Sequence, residues 1–269
     1  GFCHVFDKTL GTFRQLTYGE RKMLAMPMSF NLWRAPIDNQ RFIVNEQRNA
    51  RYHASQVRVY STGVTVRSGS AVIDQEISFV SEGERPHIRA HAVWTVNRAG
   101  DIDLMTEVSV EENAPDLPRF GLRIILDKTA DRVDYFGYGP NESYIDKHRA
   151  SWYGAFETTV DALHEDYIRP QENGSHGECN LVALESDRLR LTAVSVANFS
   201  FNASHYTQEE LTAKAHNYEL QESGSTVLCL DYRQNGIGSA SCGPELLREY
   251  ALNEDVMDFE IRLVPELKD

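Results

Sequence analysis

The decapeptide RPQENGSHGE, residues 169–178, gathers Arg169, Glu172, His176 and Glu178 around Asn173 and Gly174. A carboxyl group and an imidazole held together are the parts of general acid–base chemistry, which needs a proton donor and acceptor within reach of the reacting group. Paired carboxylates are a second possibility, because hydrolysis of a glycoside uses one as acid and the other as base or nucleophile. Glu142, Asp146, Glu172 and Glu178 all lie in irregular polar stretches. The chain carries 40 acidic residues, however, so such coincidences are frequent. A hydrogen-bonded polar corner explains each of them equally well.

Other chemistry is less well supported. His87 and His91 are spaced for a metal site on a helix, but on a strand they sit about 13 Å apart, at roughly 3.3 Å per residue. With no HExxH and no Cys/His cluster, no zinc is expected. The glycine-rich GIGSASCG (236–243) is neither a GxSxG elbow nor a phosphate loop. It follows a strand and suits close approach of backbone to a ligand, although a plain glycine turn fits too. Cys242 becomes a nucleophile only with a base beside it. Trp94 falls within a strand and belongs to the core, whereas Trp33 and Trp152 fall in irregular loops, where they can stack on a sugar or fill an interface.

The elements that must position these residues are mainly strands. Apolar residues alternate at period two in 57–68, 71–80, 87–97, 101–112, 120–127, 132–139, 189–197, 226–233 and 256–264. Arg98-Ala99-Gly100 marks a hairpin, and Gly63 breaks the first run as a turn. Strands about ten residues apart with tight turns predict an all-β fold, a sandwich of two large sheets. Helix is sparse. TQEELTAKAHNYEL (207–220) is the best candidate, with Thr207 as cap and Glu210 completing a capping box. ELLREYAL (245–252) is a weaker one behind Pro244. No linker or repeat divides residues 1–269, so a single domain is expected. Four polar stretches interrupt the alternation: NLWRAPIDNQ (31–40), YFGYGPNESYIDK (135–147), RPQENGSHGE and RQNGIGSASCGP (233–244). Irregular loops on a rigid scaffold are the usual seat of function.

Composition sets outer bounds. The net charge of −13, with no basic patch, argues against a nucleic-acid partner. No apolar run approaches membrane-spanning length, so no membrane partner is expected. Cys3, Cys179, Cys229 and Cys242 contain no CxxC pair and suit reduced thiols in a cytoplasmic protein. The sequons at Asn141, Asn173, Asn198 and Asn202 then carry no meaning.

Taken in order, the four stretches resemble the C-terminal domain of lacZ-like β-galactosidases of glycoside hydrolase family 2, which also forms most of the small subunit of heterodimeric enzymes. The motifs NLWRAPIDN, YFGYGPNESYIDKHRASWYG, RPQENGSHGE and NGIGSASCGP carry the resemblance, which covers about Phe2 to about Pro265. It implies a large β-sandwich, the supersandwich also found in galactose mutarotases, here expected as a fragment lacking its first strands. It also implies that the catalytic glutamates and the magnesium and sodium ligands lie in a preceding (β/α)8 barrel. Such a barrel needs about 250 residues of alternating strand and helix, a pattern this chain lacks. Catalytic residues and cofactors are therefore not expected in this chain.

The resemblance implies further roles. The segment after RAPxDN, here Gln40-Arg41 and beyond, corresponds to a loop closing over bound sugar. Cys242 corresponds to a position on the pocket wall that is tryptophan in some members. Arg34, Asp38, Asn39, Glu142, Glu172, Asn173 and His176 are then structural or interface residues. The expected partners are the catalytic barrel or large subunit, a β-galactoside substrate and, when the enzyme is complete, further copies of itself. Two readings compete: an aldose 1-epimerase with Glu172 and His176 as acid and base, and a free carbohydrate-binding module.

Overall fold

Alternation at period two places apolar side chains on one face of each strand, so the faces must be buried against one another. The computed structural model describes residues 1–40, 43–238 and 243–268, with fifteen strands and two short α-helices among them. The strands are β1 (Phe2–Asp7), β2 (Thr12–Tyr18), β3 (Arg21–Lys22), β4 (Leu24–Asn31), β5 (Gln56–Arg67), β6 (Ser70–Val80), β7 (Ile88–Val96), β8 (Ile102–Val110), β9 (Arg119–Asp127), β10 (Arg132–Gly139), β11 (Trp152–Thr159), β12 (His176–Glu185), β13 (Leu189–Ser204), β14 (Ser225–Gln234) and β15 (Val256–Leu267). The helices are α1 (Ile43–Asn49) and α2 (Gln208–Ala213). No helix of the described residues is long and apolar enough to cross a membrane.

Strands β1 to β3 form a small antiparallel sheet, and the other twelve form one sheet ordered β11-β10-β12-β13-β15-β8-β7-β6-β5, with β14, β9 and β4 branching from it. The branch is at β13. Residues 189–194 of this long strand pair with β15, whereas residues 200–204 pair with β14, which continues through β9 to β4. Strand β12 lies against β13 on its other edge. One strand thus serves two neighbours in succession, and the sheet divides into two arms.

The arms face each other across an aromatic core. Phe30 of β4 meets Phe79 of β6 edge-on with ring centroids 5.5 Å apart, and Phe120 of β9 meets the same Phe79 at 5.8 Å. Trp94 of β7 is fully buried and takes Phe13 of β2 edge-on at 5.4 Å. Edge-to-face contact is the favoured geometry of aromatic pairs. The expected all-β sandwich is present. Its layers are arms of one branched, curled sheet rather than two separate sheets. Close approach of β9 to β14 requires Gly121, since a Cβ there would lie 2.1 Å from the Leu230 carbonyl oxygen.

Local expectations divide. The Arg98–Gly100 hairpin forms between β7 and β8, with the Asn97 side chain accepting from the amides of Ala99, Gly100 and Asp101. Gly63 is not a turn. It lies inside β5, opposite Asp74 of β6. The helix expected over 207–220 stops at Ala213. Thr207 caps it, accepting from the Glu210 amide at 3.1 Å, but the Glu210 carboxylate turns to the Gln221 amide and completes no capping box. Glu219 then accepts from the Ala215 and His216 amides and starts a separate 3-10 turn. Only a three-residue 3-10 turn, Arg248–Tyr250, forms in the second expected helix.

Candidate functional site

The four polar stretches, far apart in sequence, converge on the turn that leaves β14. Arg34, just beyond β4, is fully buried and points into this turn. Its Nη1 donates to the Gln234 side chain at 3.2 Å and to the Asn235 carbonyl at 2.6 Å, and its Nη2 donates to the Gly236 carbonyl at 3.1 Å. Asn39 donates from Nδ2 to the Ile237 carbonyl at 2.8 Å. Asp146 supplies the opposite polarity, accepting from the Ile237 amide at 2.9 Å and the Gly238 amide at 2.7 Å. A Cβ on Gly236 would sit 2.7 Å from Asp146 Oδ2, so glycine is needed for this grip. Buried backbone groups must be paired, and here three side chains pair them.

The RAPIDN and RPQENG stretches are fastened directly. Asp38 accepts from Arg169 at 3.1 Å and from the Gln171 side chain at 3.3 Å. Its own amide donates to Gln171 Oε1 at 3.2 Å, and the Glu172 amide donates to the Ala35 carbonyl at 3.2 Å. Asn173 closes the corner by accepting from the Glu165 amide at 3.0 Å, donating to the Gln171 carbonyl at 2.9 Å and offering its own carbonyl to Asn202.

Below this corner lies a buried charge cluster. Arg119 at the head of β9 donates to both oxygens of Asp231 in β14, at 3.0 and 2.6 Å, and faces Glu172 at 3.4 Å. Arg34 adds a second cation, so two guanidiniums balance two carboxylates. Burial raises the pKa of Glu172, and the neighbouring Arg119 and Arg34 oppose that shift. Glu142 is engaged elsewhere: it accepts from Lys147, from the Tyr167 hydroxyl and from the Gly174 amide at 2.9 Å. His176 opens β12, with Nδ1 donating to the Tyr138 carbonyl at 2.9 Å and the ring stacked on Phe201. Burial lowers its pKa. Glu172 and His176 thus have separate partners and form no acid–base pair. Glu178 adopts the left-handed conformation, φ 54°, and accepts from the Asn198 side chain.

Gln40 is buried at the end of the 3-10 turn Asp38–Gln40, and its Oε1 accepts from the Ile37 amide at 3.2 Å, whereas its Nε2 has no partner among the described residues. It borders a cleft of about 460 Å³ that Asn39, Asp116, Asn235, Ile237 and Arg248 also line. Arg41 and Cys242 lie outside the described residues, as does most of the GSASC segment. Trp33 is buried with its ring edge-on to His53, so it presents no face for sugar stacking. Trp152 is 60% exposed on the edge strand β11.

Arg119, Asp231 and Asn202 were missing from the sequence-based set. A signal existed for two of them, since Arg119 heads the apolar run FGLRIIL and Asp231 interrupts VLCLDY. A lone charge in an otherwise buried strand needs a partner.

The fold defines a class: curled antiparallel β-sandwiches with the architecture of aldose epimerases. Galactose 1-epimerase from Lactobacillus acidophilus NCFM superposes with TM-score 0.53 at 11% identity, covering 100% of this chain and 92% of that one. At that identity the likeness concerns the fold alone. The sequence goes further. The β-galactosidase small-chain family model matches residues 1–263, and the chain belongs to that family. It is 42% identical over 267 residues to a β-galactosidase of Actinobacillus pleuropneumoniae, covering 97% of this chain and 25% of that one. It is 34% identical over 260 residues to a β-galactosidase of Staphylococcus xylosus, covering 97% and 26%. The chain therefore spans about a quarter of the length of these relatives.

Proposed function

We propose that this chain is a non-catalytic part of a β-galactosidase that hydrolyses terminal non-reducing β-D-galactosides. The family match over residues 1–263 carries the reading. The geometry supports it, because Glu142 and Glu172 are enclosed by Lys147, Tyr167, Gly174 and Arg119, which suits structural groups. The two glutamates of a retaining double displacement belong, on this reading, to a barrel domain or large subunit supplying most of the enzyme. Magnesium and sodium belong there too.

The chain's own part is to brace that barrel and line one wall of the sugar pocket. Gln40, Arg41 and Cys242 are the proposed substrate-side residues. Arg34, Asp38, Asn39, Glu142, Glu172, Asn173 and His176 hold the loops that carry them. The complete enzyme works in the cytoplasm as a homo-oligomer.

A conservative amide tests the non-catalytic role. In the assembled enzyme, Glu172→Gln is expected to lower thermal stability while keeping kcat for a β-galactoside. Loss of kcat with stability and KM intact would overturn the reading.

A further inference from the structure

We propose that Asp131, Asp161 and His205 form a binding site for a divalent metal ion of the zinc class. None of the three belongs to the four-motif corner, and the proposal does not rest on the β-galactosidase reading. Asp131 lies in the turn between β9 and β10, Asp161 opens the 3-10 turn after β11, and His205 follows β13. Their ligand atoms all lie within 4.8 Å of one another.

The imidazole is the informative member. Its side chain is only 4% exposed. Nδ1 lies 3.2 Å from the Ser225 carbonyl oxygen, which can only accept, and 3.4 Å from the Thr226 hydroxyl, which accepts equally well, so the proton is placed on Nδ1. Nε2 then presents a lone pair. It points at Asp131 Oδ1, 3.4 Å away, and Asp161 Oδ1, 3.7 Å away. Among the described residues Nε2 makes no hydrogen bond. A lone pair aimed at two carboxylates is repulsive unless a proton or a metal ion sits between them.

The spacing suits a metal ion better than a proton. Charge-assisted N–H···O bonds close to about 2.7–2.9 Å, and both carboxylates stand outside that range. Four ligands placed about 2.1 Å from a zinc ion lie about 3.4 Å from each other, close to the two histidine–carboxylate separations of 3.4 and 3.7 Å. The surroundings resemble the outer shell of a metal centre. A backbone carbonyl fixes the histidine tautomer, and the Val160 amide donates to Asp131 Oδ1 at 3.2 Å and orients it. Asp161, 78% exposed, leaves an open side for water to complete four-coordination. Nearby Lys128 is paired with Glu222. One imidazole and two carboxylates are donors that zinc accepts. Separations of 30 and 44 residues hid the site from a search for neighbouring ligands.

The test is calorimetric titration of the 269-residue chain with zinc chloride, alongside the visible spectrum of the cobalt(II)-loaded chain. One strong site is expected, with the absorption of a four-coordinate cobalt ion. Asp161→Asn, at an exposed position that leaves folding intact, is expected to weaken binding by about tenfold or more, and His205→Gln to abolish the cobalt spectrum. The triple variant His87→Gln, His91→Gln, His216→Gln, which removes three solvent-accessible histidine–carboxylate pairs, is expected to bind as the parent does. No zinc binding, or equal affinity in Asp161→Asn, would overturn the proposal. Loss of binding only in the His87, His91, His216 variant would do the same, by assigning the ion to surface histidines.

Discussion

Asp146 holds the amide of Ile237 between its two carboxylate oxygens, each 2.9 Å from the nitrogen, and so fixes the turn that leads toward Cys242. The contact joins residues 91 positions apart. It makes the loop after β14 depend on a motif that sits between β10 and β11.

Removing this grip leaves two backbone donors without their acceptor. Asp146→Ala is therefore expected to lower the catalytic efficiency of the assembled enzyme by about tenfold or more, since small misplacements of a substrate-side loop are costly. Asp146→Asn keeps one acceptor oxygen and should fall between the two. Steady-state kinetics on a chromogenic galactoside checks both. Parental kinetics in Asp146→Ala would mean that the turn does not position substrate.

Arg119 serves Asp231 and Glu172 in a site with no access to water. Taking away one partner of a buried charge cluster strands the others, at a cost of about 3–5 kcal/mol. Arg119→Met should lose that much in urea unfolding. A loss below about 1 kcal/mol would show that water reaches the carboxylates in solution.

The buried His176 gives the fold a sensitivity to acid. Burial holds its pKa below the ordinary 6.5, so the folded protein keeps the ring neutral where the unfolded chain takes up a proton. The stability it contributes is complete above about pH 6.5 and is lost as pH falls through that value toward the folded pKa. His4, His53 and His164 are shifted in the same direction by burial. The melting temperature should fall between pH 7 and pH 5, with a shallower slope in His176→Gln. The difference is at most about 1.4 kcal/mol per pH unit. Identical slopes would remove His176 from the account.

At Cys242 the proposed pocket wall carries a thiol at a position for which the family resemblance implies an indole in some members. A thiol gives no stacking face, so the aglycone side should be wider and less selective. Cys242→Trp in the assembled enzyme is expected to change the ratio of kcat/KM between aromatic and sugar aglycones. An unchanged ratio would place Cys242 away from the substrate.

Much of the fold could be read from alternation, because β7, β8 and β10 each bury one face and their sequences repeat at two. Strand β4 was less visible. Its sequence LAMPMSFN contains Pro27 and leaves four of its eight residues exposed. Strand β11 hid within a polar motif because neither of its faces is fully buried. The branching of the sheet at β13 was not legible, since it depends on which distant strand meets each half of one run. The site divides in the same way. Arg34, Asp38 and Asn39 were found because their motif is continuous. Arg119 and Asp231 were missed because the contact that explains them spans 112 residues.

The most direct measurement is hydrolysis of a chromogenic β-galactoside, first by the purified chain and then with the polypeptide that supplies the other three-quarters of the enzyme. No turnover by the chain alone and turnover on mixing is the predicted result. Turnover by the chain alone, lost in Glu172→Gln or Glu142→Gln, would contradict the account and return the active site to this domain.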